Sequence, residues 1–259
     1  MSDLHPRRLV ALPTEEPPLP YFTIMQFNVL ADGLSGLRHD LGGFLALHGY
    51  TGHFAPKPAS PCLQVSDRRD GCAIFIASRF TALTHDVLSY ECCVPPSSGT
   101  PERQNQLALV LELRDEISGR PLTVACTHLK AAKDAAGEDI RQQEASMLCS
   151  HLASKQAAGH PIVICGDFNA VPSSPTYATM VKAHAYTSAY CLPNEPEYTT
   201  WKVRPGKESK HTIDYIFFTG ETLRTVAVAD IPIEIEECRL PSYKYPSDHV
   251  ALVAEFCWK

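Results

Sequence analysis

The chain has no Cys-x-x-Cys pair, no basic run, no internal repeat and no glutamate between Pro17 and Tyr90. Each absence removes a class of protein. Without Cys-x-x-Cys, and with Cys92 and Cys93 too close together to chelate well, a structural zinc site is a minor reading. No segment approaches the ~20 consecutive apolar residues that a membrane span requires, which argues against insertion. A net charge of -6 and a pI near 6.0 argue against tight, sequence-independent binding of long nucleic acids, which calls for a basic surface. Nor does any Ser or Cys sit in a nucleophile elbow.

What is present suits one large α/β domain, given 259 residues of which 44% are hydrophobic and 20% charged. The first twenty residues carry Glu15, Glu16 and five prolines and are read as a flexible leader; residues 21–259 form the domain. Several of the ten cysteines lie in strand-like runs, Cys126 in LTVACTHL and Cys165 in PIVICGDF. They are read as buried thiols of a soluble protein in a reducing compartment, the cytoplasm, with mitochondrial association left open.

Short apolar runs bounded by turn residues predict strands over 22–30, 72–77, 83–90, 107–114, 122–129, 162–168, 212–218, 225–229 and 250–256. Ser118-Gly119 between LALVLELR and LTVACTHL predicts an antiparallel hairpin. One helix places Ile140, Met147, Leu148 and Leu152 on one face, and a second runs from Pro175 to about His184. Residues 11–20, 94–104 and 192–210 read as loops. Hairpins mixed with helices fit two packed sheets with outer helices.

Unusual polar groups fall where these strands run out into loops. They are Asn28, His128, Asp167 and Asn169, Asp214, and the Asp248-His249 pair. Each alone is ordinary turn or cap chemistry. Together they supply hard oxygen donors for magnesium, donors for phosphate oxygens, and a base with an orienting carboxylate, the parts of metal-assisted phosphoester hydrolysis.

The ordered set N, THL, GDFN, IDYI, SDH resembles the endonuclease/exonuclease/phosphatase superfamily. FAPKPASPC, DGCAIF, THLKA, CGDFNAVP, YTTWKVR, KHTIDYI and RLPSYKYPSDH resemble its nocturnin branch more than the related deadenylases. The resemblance runs from Tyr21 to Phe256 and implies a DNase I-like four-layer α/β sandwich. It also implies roles. Asp248 is a metal ligand for Mg2+, with Asn28 holding the metal side. His249 is the general acid/base, oriented by Asp214; Asp167 acts on the attacking water; Asn169 and His128 donate to phosphate oxygens. Lys57 and Lys130 meet phosphates, Lys133 stands in where Ala132 replaces a basic residue, and Trp201 forms part of a wall for a base.

The chain departs from that pattern in one place. Relatives carry a helix and a strand ending in a metal-binding glutamate before the motif matching GYTGHF, a unit of roughly 30 residues. Only 19 residues separate Leu30 from Tyr50 here, none a glutamate. The fold is therefore expected to lack one helix and one strand near the N-terminus, with Asp32 and Asp40 as the flanking carboxylates. The resemblance points to hydrolysis of the 2′-phosphate of NADP(H). The alternatives are a deadenylase acting on the 3′ end of poly(A) RNA, and an impaired isoform that only binds nucleotide.

Overall fold

The computed structural model describes residues 7–12, 21–29, 41–65, 67–94, 99–192 and 194–259. Asp32 and Asp40 lie outside the described residues. The centre of the molecule is a six-stranded sheet made from β5 (Phe80–Cys93), β6 (Pro101–Asp115), β7 (Pro121–His128), β8 (Ile162–Asp167), β12 (Asp214–Thr219) and β9 (Tyr186–Ser188), in the order β5-β6-β7-β8-β12-β9. Its inner strands are buried on both faces, which is why LALVLEL reads as a nearly unbroken apolar run. Leu107, Leu109, Leu111 and Leu113 face one core; Ala108 and Val110 face another. The predicted hairpin is present as the antiparallel β6–β7 pair, with Gly119 supplying a positive φ in its turn.

One core is covered by a four-stranded sheet, β1 (Leu9–Ala11), β13 (Leu223–Ala229), β14 (Leu252–Trp258) and β2 (Tyr21–Gln26). Phe22, Leu252, Ala254, Phe256 and Trp258 point inward from it. The other core is covered by α2 (Ala135–Ala157), which buries Ile140, Leu148 and Leu152 as its spacing predicts; Asp134 caps it by accepting from the Gly137 N–H at 2.8 Å. The second helical segment starts at Pro175 as α3 (Pro175–Ala178) and continues as a π-helical turn, Thr179–Ala183.

A third piece, the two-stranded ribbon β3 (Tyr50–Pro56) and β4 (Gly71–Ala77), packs on the six-stranded sheet through Cys72, Ile74 and Ile76 and does not join the four-stranded one. Among the described residues β2 pairs only with β14, and β4 only with β3. Residues between β2 and β3 contribute a seven-residue helix, α1 (Leu41–Leu47), that buries no residue. No further strand lies there among the described residues.

Three expectations need correction, the loop over 94–104 among them, since residues 101–104 already belong to β6. Part of the flexible leader is tied down: β1 pairs with β13, and Arg7 donates to the backbone carbonyls of Asp230, Ala229 and Ala251. The loop expected over 192–210 contains β10 (Thr200–Arg204), paired with β11 (Lys207–His211) around Gly206. That hairpin is mostly polar because it buries little, so no alternation marks it. β3 went unpredicted because only Ala55 of its seven residues is buried.

Candidate active site

Strand order brings the polar residues together. β7 and β8 run parallel with His128 beside Asp167, and β8 and β12 run antiparallel with Asp214 beside Asp167. Three separated sequence motifs thereby meet at one end of three adjacent strands. His249 arrives from the loop before β14, fixed by a bridge to Thr200 and by its own N–H, which donates to Ser247 Oγ at 3.2 Å.

At the centre, His249 Nδ1 lies 2.8 Å from Asp214 Oδ2, both buried. The same oxygen accepts from Thr199 Oγ at 2.6 Å, while Asp214 Oδ1 accepts from Gln26 Nε2 at 3.3 Å. The Asp214 carboxylate is thus held on both oxygens, which fixes the imidazole ring and puts its proton on Nδ1. His249 Nε2 then faces Asp167 Oδ2 at 3.8 Å. Asp167 Oδ2 accepts from Asn28 Nδ2 at 2.8 Å and lies 3.6 Å from His128 Nε2, and its Oδ1 accepts from the Asn169 N–H at 2.8 Å. Asn169 adopts a positive φ and spends one amide proton on the Leu129 carbonyl at 3.0 Å.

These surroundings set the charges. Burial disfavours the His249 cation, but the Asp214 carboxylate, with Asp167 and Asp248, outweighs it and raises the pKa above 6.5. Burial and the neighbouring Asp214 carboxylate raise Asp167, against the pull of both histidines. Burial lowers His128, partly offset by Asp167. An imidazolium and a poised carboxylate facing each other across less than 4 Å form an acid and base pair.

The other expected residues ring this centre at different removes. Asp248 is adjacent, its Oδ1 3.9 Å from His249 Nε2, but its Oδ2 lies 2.5 Å from Lys202 Nζ. Burial alone would raise Asp248; Lys202 and His249 hold it below its ordinary value. Lys57 is buried and paired with Asp70 at 2.7 Å, close enough to His128 to act on its charge. Lys130 is placed through its backbone: its N–H donates to Glu144 Oε2 at 2.9 Å and its carbonyl accepts from Arg141 at 2.9 Å. Lys133 is exposed beside His211. Trp201 lies on β10 with Lys210 Nζ 4.1 Å and the Arg239 guanidinium 4.3 Å from its ring centre, and its N–H on Glu208. A base stacking on that ring competes with these two cations.

Sequence reasoning missed Gln26, Thr199, Lys202 and Ser247, whose Oγ also donates to the Asn28 carbonyl at 2.5 Å. Gln26 left a signal, since it shares the inward phase of Phe22 and Ile24 along β2. The other three sit in loops or on the polar hairpin, where periodicity is silent.

A family model described as Endonuclease/Exonuclease/phosphatase family matches residues 11–249. The chain belongs to that family. Among curated proteins, nocturnin of Mus musculus is 37% identical over 220 residues, covering 80% of this chain and 49% of its own length. The CCR4-Not complex 3′-5′-exoribonuclease subunit Ccr4 of Saccharomyces cerevisiae is 26% identical over 259 residues, covering 81% of this chain and 30% of its own length. The chain therefore spans about half the length of the curated nocturnin it matches, and less of Ccr4. The human nocturnin catalytic domain, solved with a bound sulfate anion, superposes with a TM-score of 0.79 at 28% identity, covering 98% of each chain. The DNase I-like fold of the Endonuclease/Exonuclease/phosphatase family is the fold of this chain.

Asp167, Asp214 and His249 carry ligand atoms within 4.8 Å of one another. Their hydrogen bonds describe an acid/base centre better than a ligand set, because Asp214 already accepts from three side chains. A hard cation that keeps its waters needs one or two carboxylates. Asp248 supplies one such carboxylate, and Asn28 an amide whose carbonyl is not consumed by the bond to Asp167. That donor set meets the minimum for magnesium and no more.

Proposed function

We propose that the chain is a phosphoesterase that releases the 2′-phosphate of NADP(H), with an activity well below that of a family member carrying the full metal site. The observation that supports a hydrolase best is the fixed His249–Asp214 pair facing Asp167. Asp167, held by Asn28 and the Asn169 N–H, takes the proton of the attacking water. His249 gives its Nε2 proton to the leaving oxygen, and Asp214 stabilises the cation before that transfer. His128 and the remaining amide proton of Asn169 donate to phosphate oxygens as charge develops; Lys57 and Lys130 hold the anion in place.

Asp248 and Asn28 would hold magnesium, whose contribution is to neutralise charge on the transferring phosphoryl group. Competition from Lys202 for Asp248, and the absence of the family glutamate, both favour weak cation binding. An acidic chain without a basic run suits a dinucleotide better than a long RNA. Similarity to Ccr4 supports the alternative substrate, the 3′ end of poly(A). Ten unpaired cysteines suit a reducing compartment such as the cytoplasm.

The test is phosphate release from NADP(H), beside shortening of an oligo(A), by the purified chain with and without magnesium. Release that requires His249 supports the reading. Shortening of oligo(A) without phosphate release from NADP(H) replaces it with the deadenylase. Magnesium-insensitive nucleotide binding with no turnover of either substrate leaves a binding protein.

A further inference from the structure

Away from the active site, His53 of β3 and His85 of β5 approach each other with Nδ1 atoms 3.4 Å apart and ring centres 5.5 Å apart. The two strands belong to different layers. His53 lies opposite Ile74 in the β3–β4 ribbon and His85 opposite Leu111 in the six-stranded sheet, and both partners face the core between the layers. Directly opposed residues of an antiparallel pair share a face, so both imidazoles point into the inter-layer space at its open edge.

Two neutral imidazoles meeting through Nδ1 either share one proton in a single N–H···N bond or, with both protons on Nε2, turn two lone pairs toward the space between them. Protonating both would place two positive charges 3.4 Å apart, and burial together with His85 already lowers the pKa of His53. Buried without a protein partner, His53 Nε2 gains nothing from either arrangement. A cation of the zinc class fits the separation. Two zinc–nitrogen bonds of 2.0–2.1 Å at a tetrahedral angle span about 3.3–3.4 Å, and imidazole is a preferred donor for zinc, nickel and copper but a poor one for magnesium.

We propose that His53 and His85 form a two-histidine site for a borderline transition-metal cation, with water completing the coordination, that clips the β3–β4 ribbon to the six-stranded sheet. The ribbon is the element with least support, because β4 lacks a partner on its second edge among the described residues. It also leads directly to Lys57, four residues after His53. A cation at this site therefore reinforces the ribbon without taking part in the chemistry at His249.

The experiment is zinc titration of the metal-free full chain under a non-chelating reductant, followed by bound-zinc stoichiometry and thermal unfolding. It is run on the wild type, His85→Gln and His53→Gln. The wild type is expected to hold one more zinc than either variant, and its unfolding midpoint to rise by about 5 °C more at zinc a hundredfold above Kd. Copper(II) electron paramagnetic resonance should show two nitrogen donors that are lost together in either variant. His85 is exposed, so His85→Gln remains informative should His53→Gln fail to fold. Equal zinc stoichiometry and equal midpoint shifts in the wild type and His85→Gln would assign zinc to the thiols or the catalytic carboxylates and overturn the proposal.

Discussion

The ends of β7, β8 and β12 and the region between β2 and β4 contrast within one molecule. At the first, neighbouring strands are hydrogen-bonded, Asp214 is anchored on both oxygens, and Asp167 accepts on both of its own. At the second, two strand edges lack partners among the described residues, α1 buries nothing, and Met25, Phe44, Leu47 and Phe54 stand 50–87% exposed. Proton-transfer geometry needs only strands that are still in place. On the proposed reading, the metal side of the site depends on an element that the 19 residues between Leu30 and Tyr50 are too few to supply. The proposed function therefore has the fold keep its acid/base pair while binding its cation weakly.

The contrast can be broken most forcefully at His249. His249→Ala should lower whatever turnover the chain has by roughly 10²–10⁴-fold, the usual worth of a positioned acid/base, as read by phosphate release from NADP(H). A loss under tenfold would mean that the intact half is not where the chemistry happens. Phe256→Ala, in the core beneath the paired sheets, should cost about 3–5 kcal/mol in denaturant unfolding, whereas Phe54→Ala on the ribbon should stay within about 0.5 kcal/mol. Equal costs would show the ribbon to be as well packed as the sheet it adjoins.

Inserting a helix and a strand ending in glutamate between Leu30 and Tyr50 should raise magnesium-dependent turnover by at least about 10–100-fold. No gain in a well-folded insertion variant would show that Asp248 and Asn28 suffice. A smaller effect is expected from pH. Asp167 must be ionised and His249 protonated, and both pKa values are raised, so kcat/KM should fall as pH drops through that of Asp167 and as it rises through that of His249. The stability drawn from the His249–Asp214 pair should be fully present below pH 6.5 and lost as pH rises through the raised folded-state value. An Asp214→Asn variant that keeps the alkaline limb in place would remove Asp214 from that account.

Much of this was legible beforehand because strands buried on both faces write themselves as apolar runs, and polar residues at their ends stand out. Asn28, His128, Asp167, Asn169, Asp214 and His249 were all visible that way, and all six meet. Thr199 and Lys202 were not, since neither interrupts an apolar pattern and each acts through a contact across some 15 or 46 residues. The pairing of Lys202 with Asp248 in particular arises only when the β10–β11 hairpin folds over the loop before β14.

Composition and order by themselves determined the apolar inner strands of the central sheet, the six polar residues at strand ends and the short stretch without glutamate between Leu30 and Tyr50, because each is read from local spacing along the chain. Tertiary structure alone decided that the outer layer splits into a four-stranded sheet and a separate ribbon, that Lys202 contends for Asp248, and that His53 faces His85. Those outcomes depend on which strand edges meet and on distances of a few ångströms between residues far apart in sequence, and no one-dimensional pattern records them.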